Sequence, residues 1–588
     1  MTADTTMEKL VELAKRRGFF VRSVDAYGGV SGFYTYGPHG APLKCNVEGA
    51  WRDRFVVEEG HQEIDAPTVM PEPVFEASGH LDGFDDMLVE CPECGESHRA
   101  DHLVEDATDV EDAEALPIAE VEDLVADNDV ACPTCGTPLA GEPVNDFNLM
   151  FETNIGPGSS SPGYLRPETV QGIFVEFPQL KEYARGQLPF GVGQIGRAYR
   201  NEISPRRSII RTREFTQAEL DLFIDPEEDR PDLSEVGDVR LRLYSAPAQH
   251  EDGGGPVEMT VREAVEEGPV GDEWIAYYLG IAKRWYERIG VDMDRFRFRQ
   301  HMSGERAHYA SDCWDAESEI DGDWIELAGF SYRSDYDLRK HGEHSGEDFT
   351  LFKQYDEPRT VERATVDPDM SELGPEFGGA ATEVAAELER LVERDPGAFE
   401  GDAVTVEVDG ERHEVPVEAT GFGVEEVTES GERIHPHVVE PSFGVDRLVY
   451  TLLHHNYRED VVDGEERVYL AFDPEVAPTT VAVFPLMDRD GMGDRAGDVE
   501  RRLRKAGFAT AYDDSGAIGR RYRRQDEVGT PFCVTVDHRT LEDDTVTVRE
   551  RDSTDQRRVP VEDLPGVLAE LRDGERSFDG LTEYDRVE

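Results

Sequence analysis

From residue 200 to 220 the chain reads Arg-Asn-Glu-Ile-Ser-Pro-Arg-Arg-Ser-Ile-Ile-Arg-Thr-Arg-Glu-Phe-Thr-Gln-Ala-Glu-Leu. Two short polar blocks, Arg200-Asn201-Glu202 and Arg211-Thr212-Arg213-Glu214-Phe215, flank a loop that begins at Pro205. Alternation of Phe215, Gln217 and Glu219 with Thr216, Ala218 and Leu220 predicts a strand returning from that loop. A hairpin that projects arginines and carboxylates together suits a phosphate and its counter-charges. Guanidinium offers phosphate oxygens a permanently charged, bidentate fork. An exposed hairpin laced with ion pairs would have the same composition.

Two further groups could do chemistry. Cys91-Pro92-Glu93-Cys94-Gly95 and Cys132-Pro133-Thr134-Cys135-Gly136 are matched CPxCG knuckles. Four thiolates at this spacing suit a closed tetrahedral Zn²⁺ site, structural rather than catalytic because no further ligand accompanies them. Cys45, Cys313 and Cys533 stand alone and read as small buried hydrophobes. Arg501, Arg502, Arg504 and Lys505, with Arg520, Arg521, Arg523 and Arg524, form the densest basic zone of an acidic chain. That contrast points to contact with RNA phosphates.

The 588 residues are enough for several cores, and the net charge of −68 would ordinarily repel nucleic acid. At about 1 M salt the Debye length falls to ~3 Å, so a nucleic acid can still reach local basic patches. The acid therefore reads as adaptation to a salty cytoplasm rather than as a site. No apolar run approaches the roughly 20 residues that span a bilayer, and no secretory leader is visible. A cytoplasmic protein with no membrane partner is expected.

Helices are predicted over Met7 to Arg17, Leu43 to Glu59, Trp274 to Tyr286 and Ala380 to Glu393. Ala403 to Val408 reads as a strand, closed by a turn at Asp409-Gly410, and residues 438–455 as a strand entering a helix. Residues 480–572 alternate strands and helices as an α/β module, with a helix near Ala496 to Ala506. Gly191-Val192-Gly193-Gln194-Ile195-Gly196 matches the dinucleotide-binding pattern literally, but Ser204-Pro205 follows too soon for the required helix.

Block 200–220 resembles, almost letter for letter, motif 2 of class II aminoacyl-tRNA synthetases, and specifically the glycyl-tRNA synthetases of the archaeal and eukaryotic dimeric type. Further blocks are similar to that family in the same order. They are residues 32–51, Pro67 and Pro71 of motif 1, Gly163 to Thr169, Ala307 to Asp315, Trp324 to Gly329, and Glu440 to Arg447 of motif 3. Gly519 to Pro531 resembles the anticodon-binding module shared by glycyl, threonyl, prolyl and histidyl synthetases. The resemblance implies an α+β catalytic core, an antiparallel sheet flanked by helices, with a C-terminal α/β anticodon-binding domain. It divides the chain into core (1–90), cysteine insertion (91–146) and core with an internal insertion near 225–300 (147–357). A second insertion (358–435), core with motif 3 (436–472) and the anticodon domain (473–588) follow.

The implied activity is ATP-dependent attachment of glycine to tRNA(Gly) through a glycyl-adenylate, with Mg²⁺, a homodimer and no DNA partner. Arg200 would bind the ATP α-phosphate and Arg447 the γ-phosphate, the two catalytic arginines. Asn201, Glu202, Ile210, Arg211, Thr212, Arg213, Glu214, Phe215, Glu326, Leu327, Gly444, Val445 and Asp446 would complete the nucleotide site. Phe215 would stack on adenine, and Glu326 would suit Mg²⁺. Glu168, Glu219, Glu440 and Ser442 would line the glycine pocket. Phe215, Thr216, Gln217, Ala218, Pro441, Phe443 and Gly444 would surround it, and Arg99 would meet the substrate carboxylate. Arg520, Arg521, Arg523 and Arg524 would touch tRNA. Two rivals stand beside this reading, a synthetase of the same subclass for another small amino acid and a non-catalytic synthetase-derived binding protein. The second would be expected to lose the motif arginines, and this chain keeps both.

Overall fold

A computed structural model of the chain describes all residues but 1–5, 109, 111, 112, 114, 115, 158–160, 206, 207, 251–253, 303–311, 409, 463 and 588, and all their side chains but those of 6, 8, 356 and 393. Residues 307–311 of the Ala307 block and Asp409 of the predicted turn thus lie outside the described residues. Two compact units result, Met1–Phe349 with Pro436–Glu588, and Thr350–His435.

The first unit is built on nine strands: β1 (Gln62–Glu63), β2 (Phe190–Tyr199), β3 (Glu214–Ile224), β4 (Arg240–Tyr244), β5 (Val257–Thr260), β6 (Phe296–Gln300), β7 (Asp312–Ile320), β8 (Asp323–Ser334) and β9 (His437–Gly444). Their spatial order is β5-β4-β6-β7-β8-β9-β3-β2-β1. Only the β4/β6 and β1/β2 pairings are parallel. The stretch 225–300, expected as an internal insertion, supplies β4, β5 and β6 to this sheet. The Gly191–Gly196 segment lies inside β2, which rules out a phosphate loop. Its glycines serve packing: a Cβ on Gly193 would meet Val56 at 2.7 Å, and one on Gly196 would meet the Arg166 guanidinium at 2.2 Å.

Five helices position the site: α1 (Gly40–Arg52), α2 (Val170–Val175), α3 (Glu273–Arg288), α4 (Tyr336–Ser345) and α5 (Val445–His455). One sheet face is sealed by α1, α3 and α5, whose Leu43, Trp51, Tyr278, Trp285, Leu448 and Leu452 pack with Ala218, Leu220, Phe330 and Phe443. The Phe443 ring lies 4.7 Å from Phe55 and 5.5 Å from Trp285. Truncating such a buried ring costs about 3–5 kcal/mol, so this face fixes the sheet that carries the chemistry on its other side.

The cysteine segment folds around strands Asp85–Glu90, Ser97–Arg99 and Val144–Asn148 and helices Ala100–Ala107 and Ile118–Asp127. Val89, Leu103, Val104, Val121 and Val125 pack with Cys91 and Cys132 in its core. Near the C-terminus, strands Thr510–Tyr512, Val481–Pro485 and Phe532–Val536 run parallel, and Thr545–Glu550 and Gln556–Pro560 complete the sheet antiparallel. The second unit pairs a long ribbon, Leu351–Thr365 with Gly423–Ile434, and carries helices Met370–Phe377 and Ala381–Arg394 and the hairpin Ala403–Val408/Glu411–Pro416. No helix among the described residues is long and apolar enough to cross a membrane.

Candidate active site

Period-two alternation decides which side chains reach the open face of the sheet. On β3, Gln217, Glu219 and Asp221 point away from the core that takes Ala218, Leu220 and Leu222. On β9, Glu440, Ser442 and Gly444 are their neighbours, because Glu219 registers with Ser442 and Gln217 with Gly444. A bulge between β7 and β8 sets Ala316 opposite Ala328 but Glu317 opposite Glu326, so Leu327 is the extra residue. Such a bulge re-aims side chains. Leu327 turns into the core, at 1% exposure, and Glu326 faces the cleft.

Arg200 follows the last residue of β2, and Arg447 stands in the first turn of α5. Both line one cleft, together with Glu202, Ile210, Arg211, Thr212, Phe215, Thr216, Gln217, Glu326, Ser442, Gly444 and Asp446. The Arg200 guanidinium donates to Glu168 at 3.2 Å and lies 5.5 Å from the Phe215 ring centre. Arg447 donates to the carboxylate of Glu326 at 2.9 Å and to the Ile210 carbonyl at 3.2 Å. The Arg447 charge, helped by Arg200 and His301 against burial, holds the Glu326 carboxyl below its ordinary range. Arg211 sits 3.4 Å from Glu202.

Others of the predicted nucleotide residues are also engaged with the scaffold, Thr212 and Asp446 while lining the cleft. Arg213 donates to the carbonyls of Glu202 and Ser31, both at 3.0 Å, and so closes the loop. Glu214 pairs with Arg197 at 3.6 Å, Thr212 donates to the Glu214 carbonyl at 3.0 Å, and the Asn201 backbone N–H donates to the Leu149 carbonyl at 2.8 Å. Asp446 accepts from the Thr216 amide and the Tyr36 hydroxyl, tying α5 to β3. Leu327 and Val445 bury their side chains in the core, as do Ala218 and Phe443 of the predicted glycine pocket. Pro441 falls on the same inward face as Phe443. These five can offer a ligand only backbone atoms.

Next to the cleft, Glu219 accepts from Ser442 at 2.7 Å and from the Thr169 hydroxyl. Gln217 accepts from the Thr169 amide at 3.2 Å. Burial opposes charge on Glu168, but His80, Arg200 and Arg333 outweigh it and bring the carboxyl down to about 2. Burial carries Glu440 the other way, up to about 8, although Arg333 donates to it at 2.8 Å. Arg333 is shared with Asp337, bonded at 2.8 and 3.0 Å, so its pull on Glu440 is only partial. Arg99 pairs with Asp86, at 2.9 Å, and with Asp101, and lines a neighbouring pocket with Arg200 and Arg211.

Sequence reasoning missed Arg333, Asp221 and the His301–Asp315 pair, whose ring nitrogen and carboxylate lie 2.8 Å apart. Burial works against the His301 cation, yet Asp315 and Cys313 beside it lift the ring to about 11. No local sequence signal marked Arg333, which the β8/β9 pairing brings to Glu440.

The cysteine pairs also converge. Cys91, Cys94, Cys132 and Cys135 bring their sulfurs within 4.8 Å of one another. Gly95 and Gly136, at φ +70° and +76°, let each knuckle donate its glycine amide back to the first cysteine carbonyl, at 2.9 and 2.8 Å. In the C-terminal domain the four arginines separate. Arg521 is 3% exposed and donates to the carbonyls of Pro485, Asp514 and Gly516, so it is structural rather than a tRNA contact. Arg524 pairs with Asp513 and Arg523 donates to Val462, whereas Arg520 is exposed. Arg501 and Arg504 pair within their own helix with Asp498 and Glu500.

An antiparallel sheet presenting one arginine at a strand end and another at a helix start, with a C-terminal α/β domain, is the build of a class II aminoacyl-tRNA synthetase. Residues 480–571 match the family model described as anticodon binding domain. The chain is 49% identical to a glycine–tRNA ligase of Methanothrix thermoacetophila, over 97% of this chain and 98% of that one. It is 48% identical to that of Methanothermobacter thermautotrophicus, over 96% and 99%. It is 45% identical to that of Methanocaldococcus jannaschii, over 96% and 98%. The chain belongs to the glycine–tRNA ligase family.

Proposed function

We propose that this chain attaches glycine to tRNA(Gly) in two steps. A glycine carboxylate oxygen bonds to the α-phosphorus of ATP, and the bond to the bridging oxygen breaks, with pyrophosphate taking the electron pair. The ribose hydroxyl of the terminal tRNA adenosine then attacks the glycyl carbonyl and AMP leaves. The carrying observation is that Arg200 and Arg447 line a single cleft, next to which Glu219 and Ser442 are hydrogen-bonded at 2.7 Å. Arg200 would steady the α-phosphate and Arg447 the γ-phosphate. Placement and charge neutralisation then carry the acceleration, with no side-chain base. Glu326 is the residue suited to hold Mg²⁺, which supplies charge neutralisation at the phosphates. Glu168, Glu219, Glu440 and Ser442 take the ammonium, and crowded walls exclude larger substrates. A lost methyl contact alone discriminates by only ~1–3 kcal/mol, so steric refusal is the stronger device.

The same reading extends to coarser features. The four cysteines fit a structural Zn²⁺ in ligand type and convergence. Arg520, with Arg523 and Arg524, is the tRNA-facing part of the basic zone. The core pairs as a homodimer through the Pro67–Pro71 segment, and the acidic surface suits a salty cytoplasm. Pyrophosphate exchange across the amino acids tests the activity. Exchange with glycine and not with alanine, serine, threonine or proline is expected. Preference for any of those four would replace the reading, and no exchange at all would favour a binding protein.

A further inference from the structure

Asp221 lies two residues beyond Glu219 on β3, so it emerges on the same face of the sheet. The β3/β9 register pairs Glu219 with Ser442 and Leu222 with Val439, which sets Asp221 opposite Glu440. Side chains directly opposed on antiparallel strands hold their Cβ atoms roughly 4.5–5.5 Å apart. Its other neighbour, Val192 on β2, is apolar and buried. Asp221 is itself 0% exposed, and neither carboxyl oxygen has a hydrogen-bond partner among the described residues. Gln171 on α2, equally buried, also leaves both amide atoms unpartnered.

An ionised carboxylate left alone in that position would be far costlier than a neutral acid. The charged groups acting on it are Glu219 on its own strand, Glu440 on β9, Arg333 on β8 and Asp337 on α4. Arg333 is already divided between Asp337 and Glu440. Glu168 has Arg200 and His80, and Glu219 has the hydroxyls of Ser442 and Thr169. One substrate ammonium can offset one more negative charge, not two. The acid that keeps a proton is the one that no donor faces. Burial, reinforced by Glu440 and Glu219, accordingly holds Asp221 well above the carboxylate range.

We propose that Asp221 is a positioning residue, protonated beneath the amino-acid pocket, whose neutral O–H orients the Glu440 oxygen not held by Arg333 toward the substrate ammonium. Only the kinetic half of the test rests on the glycine reading of that pocket. In an infrared difference spectrum of the full chain, wild type against Asp221→Asn at mildly alkaline pH, a carboxylic-acid carbonyl band should be present and vanish in the isosteric variant. A difference spectrum with no lost carboxylic-acid band overturns the proposal, since the Glu440 band is common to both proteins and cancels. Asp221→Asn, which stays neutral and retains a donor, should hold the glycine KM within about threefold. Asp221→Leu should raise it about tenfold with the ATP KM and kcat spared, the scale of one hydrogen bond. If Asn raises KM as much as Leu, charge rather than a neutral donor is what the pocket needs, and the proposal falls. Absence of glycine-dependent exchange in the wild type would instead strike the functional reading and leave the infrared result standing.

Discussion

Arg447 and Glu326 are locked together twice, with one guanidinium nitrogen 2.9 Å from the carboxylate and 3.0 Å from the same residue's carbonyl. The bulge that expels Leu327 into the core makes this double contact possible, since it turns Glu326 toward the start of α5. An ion pair so placed pre-sets the arginine before any phosphate arrives. Replacing Arg447 with Ala should lower glycyl-adenylate formation by about 10²–10³, the typical cost of losing a preorganised charge donor. Arg447→Lys should recover only part of that, because a point charge cannot reproduce the fork. Pyrophosphate exchange measures both, and full activity in the Ala variant would end the proposed role.

Glu440 gives the pocket a pH signature. Its carboxyl is raised to about 8 by burial, so it is protonated in the folded protein where the unfolded chain is already ionised. Its contribution to stability is therefore fully present below the unfolded value near 4.5 and is lost as pH rises toward about 8. Glu440→Gln should flatten the fall in urea midpoint across that window. The glycine KM should drop as pH climbs toward 8, because Glu440 must surrender its proton to hold an ammonium. A flat KM over that range would contradict the assignment.

Glu168 has the opposite slope. Held down to about 2 by His80, Arg200 and Arg333 against burial, it stabilises the fold above the unfolded value near 4.5. That contribution disappears as pH falls from there toward about 2. His80→Ala should shift the acid-unfolding midpoint upward, as followed by circular dichroism.

The cysteine cluster predicts one zinc per chain by atomic emission. Cys91→Ser, or chelation, should remove the metal and loosen the segment around Val89, Val104 and Val121, seen as faster amide exchange there. The sheet of Val481–Pro485 should stay protected. Retention of full zinc by the Ser variant would refute the ligand set.

Among the clustered arginines, Arg520→Ala should weaken tRNA binding and reduce its salt slope by about 1. Arg521→Ala should instead lower the melting temperature, because the three carbonyls it serves lose their donor, at ~1–3 kcal/mol each at most. The reverse pattern would show that side-chain burial misleads here.

Strand alternation made Phe215, Gln217 and Glu219 readable before any coordinates, because a period of two depends on neighbours in sequence. Arg333 was not readable that way. Its partner Glu440 lies more than a hundred residues along the chain, and only the β8/β9 register joins them. Residues 225–300 do not declare their place in the sheet, because β4 and β5 are short and β4 meets β6 only across the whole of α3. Arg521 and Arg520 look alike in sequence, and only helix rotation separates a buried strut from an exposed cation. Leu327 and Val445 fell inside matching blocks whose letters do not say which way a side chain points.

The ribbon of the second unit begins at Leu351 and ends at Ile434, and those two residues are paired. The two ends of this unit therefore lie side by side, with a small core of Leu373, Val384, Leu388 and Val406 between them in the chain. Lengthening or shortening the stretch between Leu351 and Ile434 therefore alters this ribbon alone and leaves the order of the nine-stranded sheet untouched.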